Sequence, residues 1–243
     1  MMRTLHQPGP VHPDRIDVLR AEPRLLRFRL QPGLTLNEAL TAPLVEAGFQ
    51  SAAVTVRGAT MDPFRYVRPA RSTDDNHVAW FSATHAPAGA STIEQANATF
   101  GWAGGAPSVH CHAVWCEPDG SRRGGHILPL ESLVAEGAEV TAWGFASVRI
   151  EALPDPETNF TLFQPVGPSS PDATAIIARV KPNEDIITAI ETIAHRHALH
   201  DATVRGSLGS LIGARFANVL CATGEPRWIC WWSTWTVRFM RDG

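Results

Sequence analysis

Lysine is almost missing from this 243-residue chain: Lys181 is its single example, and the other basic side chains are arginine. We read that bias as one of genome composition, not of function. Positive charge is not in excess either. The 21 Lys and Arg face 24 Asp and Glu, for a formal net charge of −3, and the isoelectric point is about 6.4. A general nucleic-acid binder usually carries a basic footprint, so overall charge lends that class no support. Cysteine is scarce: Cys111, Cys116, Cys221 and Cys230 are too few and too scattered for a disulfide framework, and free thiols are expected. No apolar run approaches the roughly 18 residues of a membrane-spanning helix, and Met1 to Gly9 lacks the apolar core of a secretory signal. A cytoplasmic location with no membrane attachment is the resulting expectation. The 44% hydrophobic content is that of an ordinary globular protein, and the length suffices to bury a sizeable core in one or two domains.

Against this background one stretch stands out, Ser108 to His126. Val109 to Cys116 is rich in strand formers, Pro118-Asp119-Gly120 is a strong turn signal, and Gly124-Gly125-His126-Ile127-Leu128 starts a return strand. Side chains alternate along a strand, so His110 and His112 share a face and Cys111 points away. Their Cα atoms are expected roughly 6.6 Å apart, at about 3.3 Å per residue. Folding at Asp119-Gly120 sets His126 opposite residues 112–114, beside His112. Three neutral imidazoles with a free fourth position are a donor set of the catalytic zinc type. The bland reading, polar residues on a solvated sheet face, stands beside it.

His110-Cys111-His112, Pro118-Asp119-Gly120 and Gly124-Gly125-His126-Ile127-Leu128 together resemble the PPC domain (plant and prokaryote conserved, also called DUF296), over about residues 25 to 165. The resemblance implies a compact α+β domain with an antiparallel sheet and flanking helices, of bacterial type, assembling as a homotrimer, with Zn2+ held by His110, His112 and His126. It also implies a binding or regulatory protein, because the family is described in terms of candidate DNA binding. The plant relatives carry an AT-hook, Arg-Gly-Arg-Pro. Here Arg68-Pro69-Ala70-Arg71 is not that motif. Acetolactate decarboxylase, a zinc enzyme, is a more distant relative in fold and metal site. The alternative function is therefore a zinc-dependent small-molecule enzyme of lyase or hydrolase type.

Residues 1–22 are proline-bearing and without clear period, and read as an N-terminal arm; 23–165 read as the complete PPC-like domain. Leu25–Leu30, Ala52–Val56 and His77–Phe81 suit strands, while Leu36, Leu40 and Leu44 have helical spacing. Pro43 lies inside that helix pattern and should kink or break it. Gly167 to Pro171 has linker composition, giving a linker over 166–174. An internal repeat follows. Arg179-Val180-Lys181-Pro182-Asn183 matches Arg29-Leu30-Gln31-Pro32-Gly33, and Thr203-Val204-Arg205-Gly206 matches Thr55-Val56-Arg57-Gly58. Residues 175–243 thus read as a partial, degenerate second copy whose helix starts near Asn183 as cap, with Ile186, Ile190, Ile193 and Ala194 on one apolar face. It ends atypically, with Trp228, Trp231, Trp232 and Trp235 close together.

Other candidates are weighed against plain structural roles. Gly124 and Gly125 are either a close backbone approach within the sheet or room for a ligand, a pocket beside the metal. Cys116 lies too far along the strand to be a ligand. Glu117, Glu131, Glu136 and Glu139 lie near the hairpin in sequence, and a zinc enzyme would need a proton shuttle among such carboxylates. Arg57 and Arg65 are candidates for an anionic substrate. Arg65, Arg68, Arg71, Arg122 and Arg123 are the candidate DNA contacts, which on phosphates alone would be salt-sensitive and nonspecific.

Overall fold

The computed structural model of the chain describes residues 5–200, 202–205, 208–211 and 230–231. Strand β1 (Ile16–Ala21) lies inside the stretch read as an arm, and β2 (Arg24–Arg29) follows. Helix α1 (Leu36–Glu46) opens with a capping box: Glu38 N–H donates to Thr35 Oγ1 at 3.1 Å, and Thr35 N–H donates to the Glu38 carboxylate at 3.0 Å. The helix is not broken at Pro43 but continues to Glu46. Proline deletes one hydrogen bond in the third turn, yet its carbonyl still accepts Ala47 N–H at 3.0 Å. Leu36, Leu40 and Leu44 are buried in the core, at about 1.5–3 kcal/mol each, and this outweighs the defect.

Next come β3 (Ser51–Val56) and four two-residue strands: β4 (Thr60–Met61), β5 (Tyr66–Val67), β6 (Pro69–Ala70) and β7 (Trp80–Phe81). The strand expected over 77–81 is thus only its last two residues. Two long strands, β8 (Ser91–Ala103) and β9 (Ala106–Cys116), make one hairpin. Its turn residues Gly104 and Gly105 have φ of 57° and 82°, the primed-turn geometry that a twisted hairpin prefers. Then follow β10 (Arg122–Ile127), β11 (Val134–Glu136), β12 (Glu139–Phe145), β13 (Arg149–Pro154) and β14 (Thr161–Val166).

The main sheet runs β2-β12-β3-β8-β9-β10-β5, with antiparallel neighbours throughout this path. One face is apolar: Val54, Val56, Ala98, Phe100, Cys111, Trp115, Ile127 and Val140 pack with the helix leucines in a single core. The other face carries a continuous polar row across six strands. Laterally paired residues share a face, and the registers align Arg27, Thr141, Thr55, Asn97, His112 and His126 in turn. Asn97 and His112 on this row are buried, at 0% and 1% exposure.

Strand β15 (Ala175–Val180) pairs antiparallel with β1, and α2 (Ile186–Arg196) follows. Two-residue β16 (Ser210–Leu211) and β17 (Cys230–Trp231) pair with each other. A strand, a positive-φ turn and an 11-residue helix therefore occur twice, with Gly33 and Asn183 in the turns at φ of 85° and 64°. Asn183 is not the helix cap. Asp185 is, accepting Thr188 N–H at 2.9 Å, because Asn183 is used two residues earlier in the left-handed turn. Most of the tryptophan-rich end lies outside the described residues.

Ionic contacts, part-buried for the most part, join the segment around β1, the loop between β13 and β14, and the segment around β15. Arg15 forks onto Glu157 at 2.8 and 3.1 Å and reaches Glu184 at 3.0 Å. Lys181 Nζ donates to Asp14 O at 2.8 Å and to Asp17 at 2.9 Å, and Arg179 meets Asp155 at 2.9 Å.

Candidate metal centre

The hairpin of β9 and β10 carries all three histidines. Its turn closes by Gly120 N–H donating to Glu117 O at 2.9 Å, with Gly120 at φ 81°. That turn sets the register His126 with His112 and Ile127 with Cys111. His126 therefore stands laterally beside His112, and His110 lies two residues along the same strand on the same face. The imidazole centroids are 4.8 Å apart for His110 and His112, 4.7 Å for His110 and His126, and 5.4 Å for His112 and His126. The Nε2 atoms of His110 and His112 are 3.0 Å apart. One ligand nitrogen from each of the three lies within 4.8 Å of the others.

Two nitrogens bound at about 2.0–2.1 Å to one tetrahedral ion would be roughly 3.3–3.4 Å apart. The closest pair is within a few tenths of an ångström of that separation, and the third ring needs to swing in by roughly an ångström. The donor set thus fits a divalent metal ion of the zinc class. The electrostatics agree. Burial pushes the His110 pKa down to about 3, with the His126 charge adding to the effect, and burial pushes His126 down to about 4. Both rings are therefore neutral near pH 7, the form in which imidazole binds metal. Behind His112 the polar row continues into Asn97, whose side-chain oxygen accepts Thr55 Oγ1–H at 3.1 Å.

Aromatic rings border the trio on two sides. The Phe81 centroid is 5.9 Å from that of His126, and the Phe163 centroid is 6.3 Å from that of His110. Neither residue is marked by its sequence. Phe81 comes from β7 and Phe163 from β14, far apart in the chain, so no spacing rule joins them to the histidines.

The remaining candidates are placed elsewhere. Gly125 lies on the opposite, core-facing side of β10, where a Cβ would sit 2.8 Å from Val67 O and 3.2 Å from the Trp115 ring, so the close approach requires glycine. Gly124 shares the face of His126 but is exposed, with room for a Cβ at 3.4 Å from Ala113 O. Cys111 is buried in the core, which pushes its thiol up to about 12. Glu117 accepts Tyr66 O–H at 2.7 Å; burial first, and then this carboxylate, push the Tyr66 hydroxyl up to about 12. Glu136 and Glu139 pair with Thr60 and Arg29 at 3.4 Å each, and Glu131 is exposed. Among the described residues, the metal-competent group contains the three histidines and no carboxylate or thiol.

The arginines do not gather at the trio. Arg122 is bound to Glu94 at 2.8 Å, and Arg123 faces Glu117 at 3.7 Å. Arg68 lies 3.5 Å from His85, Arg57 and Arg71 are exposed, and Arg65 is half-buried, its backbone N–H donating to Ser132. No helix among the described residues is long and apolar enough to cross a membrane.

No family model matches the chain, and no curated protein matches it. Solved structures give matches. A metal-containing protein from Archaeoglobus fulgidus is 19% identical over 61% of this chain and 99% of its own, with a TM-score of 0.49. A candidate DNA-binding protein from Ralstonia eutropha is 18% identical over 61% and 89%, at 0.40. A plant- and prokaryote-conserved (PPC) protein from Pyrococcus horikoshii is 18% identical over 58% and 91%, at 0.48. The solved structures to which this chain is similar thus include PPC proteins.

Proposed function

We propose that the chain is a PPC-type binding module whose three histidines hold a divalent metal ion, zinc by its donor chemistry, on the polar face of the sheet. The observation that carries this reading is the convergence of His110, His112 and His126, with two Nε2 atoms 3.0 Å apart and every ligand nitrogen within 4.8 Å of the others. Three imidazoles leave a coordination position open, and an ion bound there would supply Lewis acidity toward a small oxygen-donor ligand. The protein's own part is to hold three neutral rings in place and to keep bulk water from two of their flanks with aromatic side chains.

Binding is the reading that the donor set supports by itself; a hydrolase or lyase would also need a proton shuttle beside its metal. Homotrimeric assembly belongs to the same reading and is checked by light scattering of the full chain. The decisive test is metal content by elemental mass spectrometry, on protein purified without chelator or His-tag, beside the His110→Ala/His112→Ala variant. About one zinc per chain, lost in the variant, is expected for a single site of this type. No metal in either protein overturns the reading.

A further inference from the structure

Seven large apolar side chains are exposed among the described residues, and two of them are the chain neighbours Trp80 and Phe81, at 44% and 39% exposure, the second of which stands beside His126. They do not hang loose. Trp80 lies nearly parallel to Phe160, 5.5 Å away and inclined by 21°, and His77 wedges against both rings at 4.6 and 4.8 Å. The loop that bears Phe160 is bound to the loop that bears Trp80, with Asn159 Nδ2 donating to Asn76 O at 2.9 Å. Two separate segments thus hold an exposed aromatic rim in a fixed position. Phe81 extends that rim to 5.9 Å from His126, and Phe163 stands at 6.3 Å from His110 on another flank.

We infer that this aromatic rim is the ligand-selecting wall of the metal site, and that the site takes a small aromatic acid: an anionic oxygen donor on a planar ring. The inference rests on the metal reading above. The donor group follows from charge. Three neutral imidazoles cancel none of the charge of a divalent ion, so an anion is preferred at the open position. The ring follows from the walls. Aromatic pairs favour offset or edge-on contacts at centroid separations of about 4.5–7 Å, and Phe81 and Phe163 already stand within that range of His126 and His110. Exposed aromatic surface beside a metal-competent site is also where an apolar ligand gains most from leaving water.

The test uses the full chain loaded with cobalt(II), whose visible absorption reports the coordination sphere. Benzohydroxamate and acetohydroxamate present the same anionic donor with and without a ring. Benzohydroxamate is expected to bind about 3- to 10-fold more tightly, the worth of one to two aromatic contacts. Phe81→Leu and Phe163→Leu keep the apolar bulk and should shrink that preference without changing cobalt stoichiometry. Cobalt bound with equal affinity for both hydroxamates overturns the wall and leaves the metal site standing. No cobalt bound overturns the metal site, and the wall with it.

Discussion

The Nε2 atoms of His110 and His112 face each other at 3.0 Å, two residues apart on one strand. Without an ion the pair is a single hydrogen bond between a protonated and an unprotonated nitrogen, and the tautomers are locked against each other. An ion held there would require both nitrogens to be unprotonated. Metal binding would therefore replace one neutral hydrogen bond by several coordinate bonds, and the folded state would gain accordingly.

That gain is measurable by calorimetry. A ligand at 100 times its Kd stabilises the folded state by about 2.7 kcal/mol, which for a chain of this size is a Tm rise of roughly 5–10 °C. Zinc should raise the Tm of the wild type and leave His112→Ala unmoved. An equal rise in both proteins would place the ion elsewhere.

The two adjacent glycines of β10 should behave differently. Gly125→Ala forces a methyl to 2.8 Å from Val67 O and 3.2 Å from Trp115, an overpacking costing about 1–3 kcal/mol. Gly124→Ala meets only ordinary contacts at 3.4 and 3.8 Å and should stay within about 0.5 kcal/mol of the wild type, as surface substitutions do. Urea unfolding of both variants decides it. A costly Gly124→Ala beside a neutral Gly125→Ala would invert the assignment of the two faces.

What the sequence disclosed and what it hid divide along the distance between partners. The histidine hairpin was legible because its signals are local: alternation from Val109 to Cys116, and the turn at Asp119-Gly120 that sets His126 against His112. The length of β8 was less legible, since Gly101 looks like a breaker; the strand continues through it paired with Ser108 of β9, and glycine is required there because a Cβ would lie 2.6 Å from Ile150 O. Strand β1 was hidden for another reason: its partner β15 begins more than 150 residues later, and Ile16–Ala21 has no clean alternation of its own. Phe81 and Phe163 escaped similarly, because only the folded sheet brings them to the histidines. At Pro43 the break did not occur, because the rule for an isolated helix omits the buried leucines that hold α1 in place.

Glu157 gives the stability a pH signature. Its side chain is 2% exposed, and the Arg15 hydrogen bonds hold its carboxyl below the ordinary value of 4.5, with His12 N–H and the nearby Lys181 charge adding to the effect. A carboxyl with a depressed folded-state pKa stabilises fully above its unfolded value, and that contribution is lost as pH falls through the folded one. Wild-type stability on this account is flat above about pH 5 and declines below it. Arg15→Ala strips the charge partner from a buried carboxylate, at about 3 kcal/mol near pH 7. The variant should recover part of that loss as acid protonates Glu157, the reverse of the wild-type trend. Parallel pH profiles for the two proteins would show that the pair is not coupled to folding.

DNA is the partner against which the charge distribution speaks most directly. Arg122 and Arg123 at the hairpin tip are engaged by Glu94 and Glu117, and the loop of Arg65, Arg68 and Arg71 also carries Asp74 and Asp75. Phosphate affinity grows with the number of cations that can be committed to it, each adding about 0.9 to the salt slope. Cations already paired with carboxylates must first give up those partners. Gel shifts with duplex DNA at about 50 mM salt should therefore show no retardation. Retardation that weakens steeply with salt, and whose slope falls in Arg122→Ala/Arg123→Ala, would establish the hairpin tip as a phosphate-binding surface and return DNA to the account of this fold.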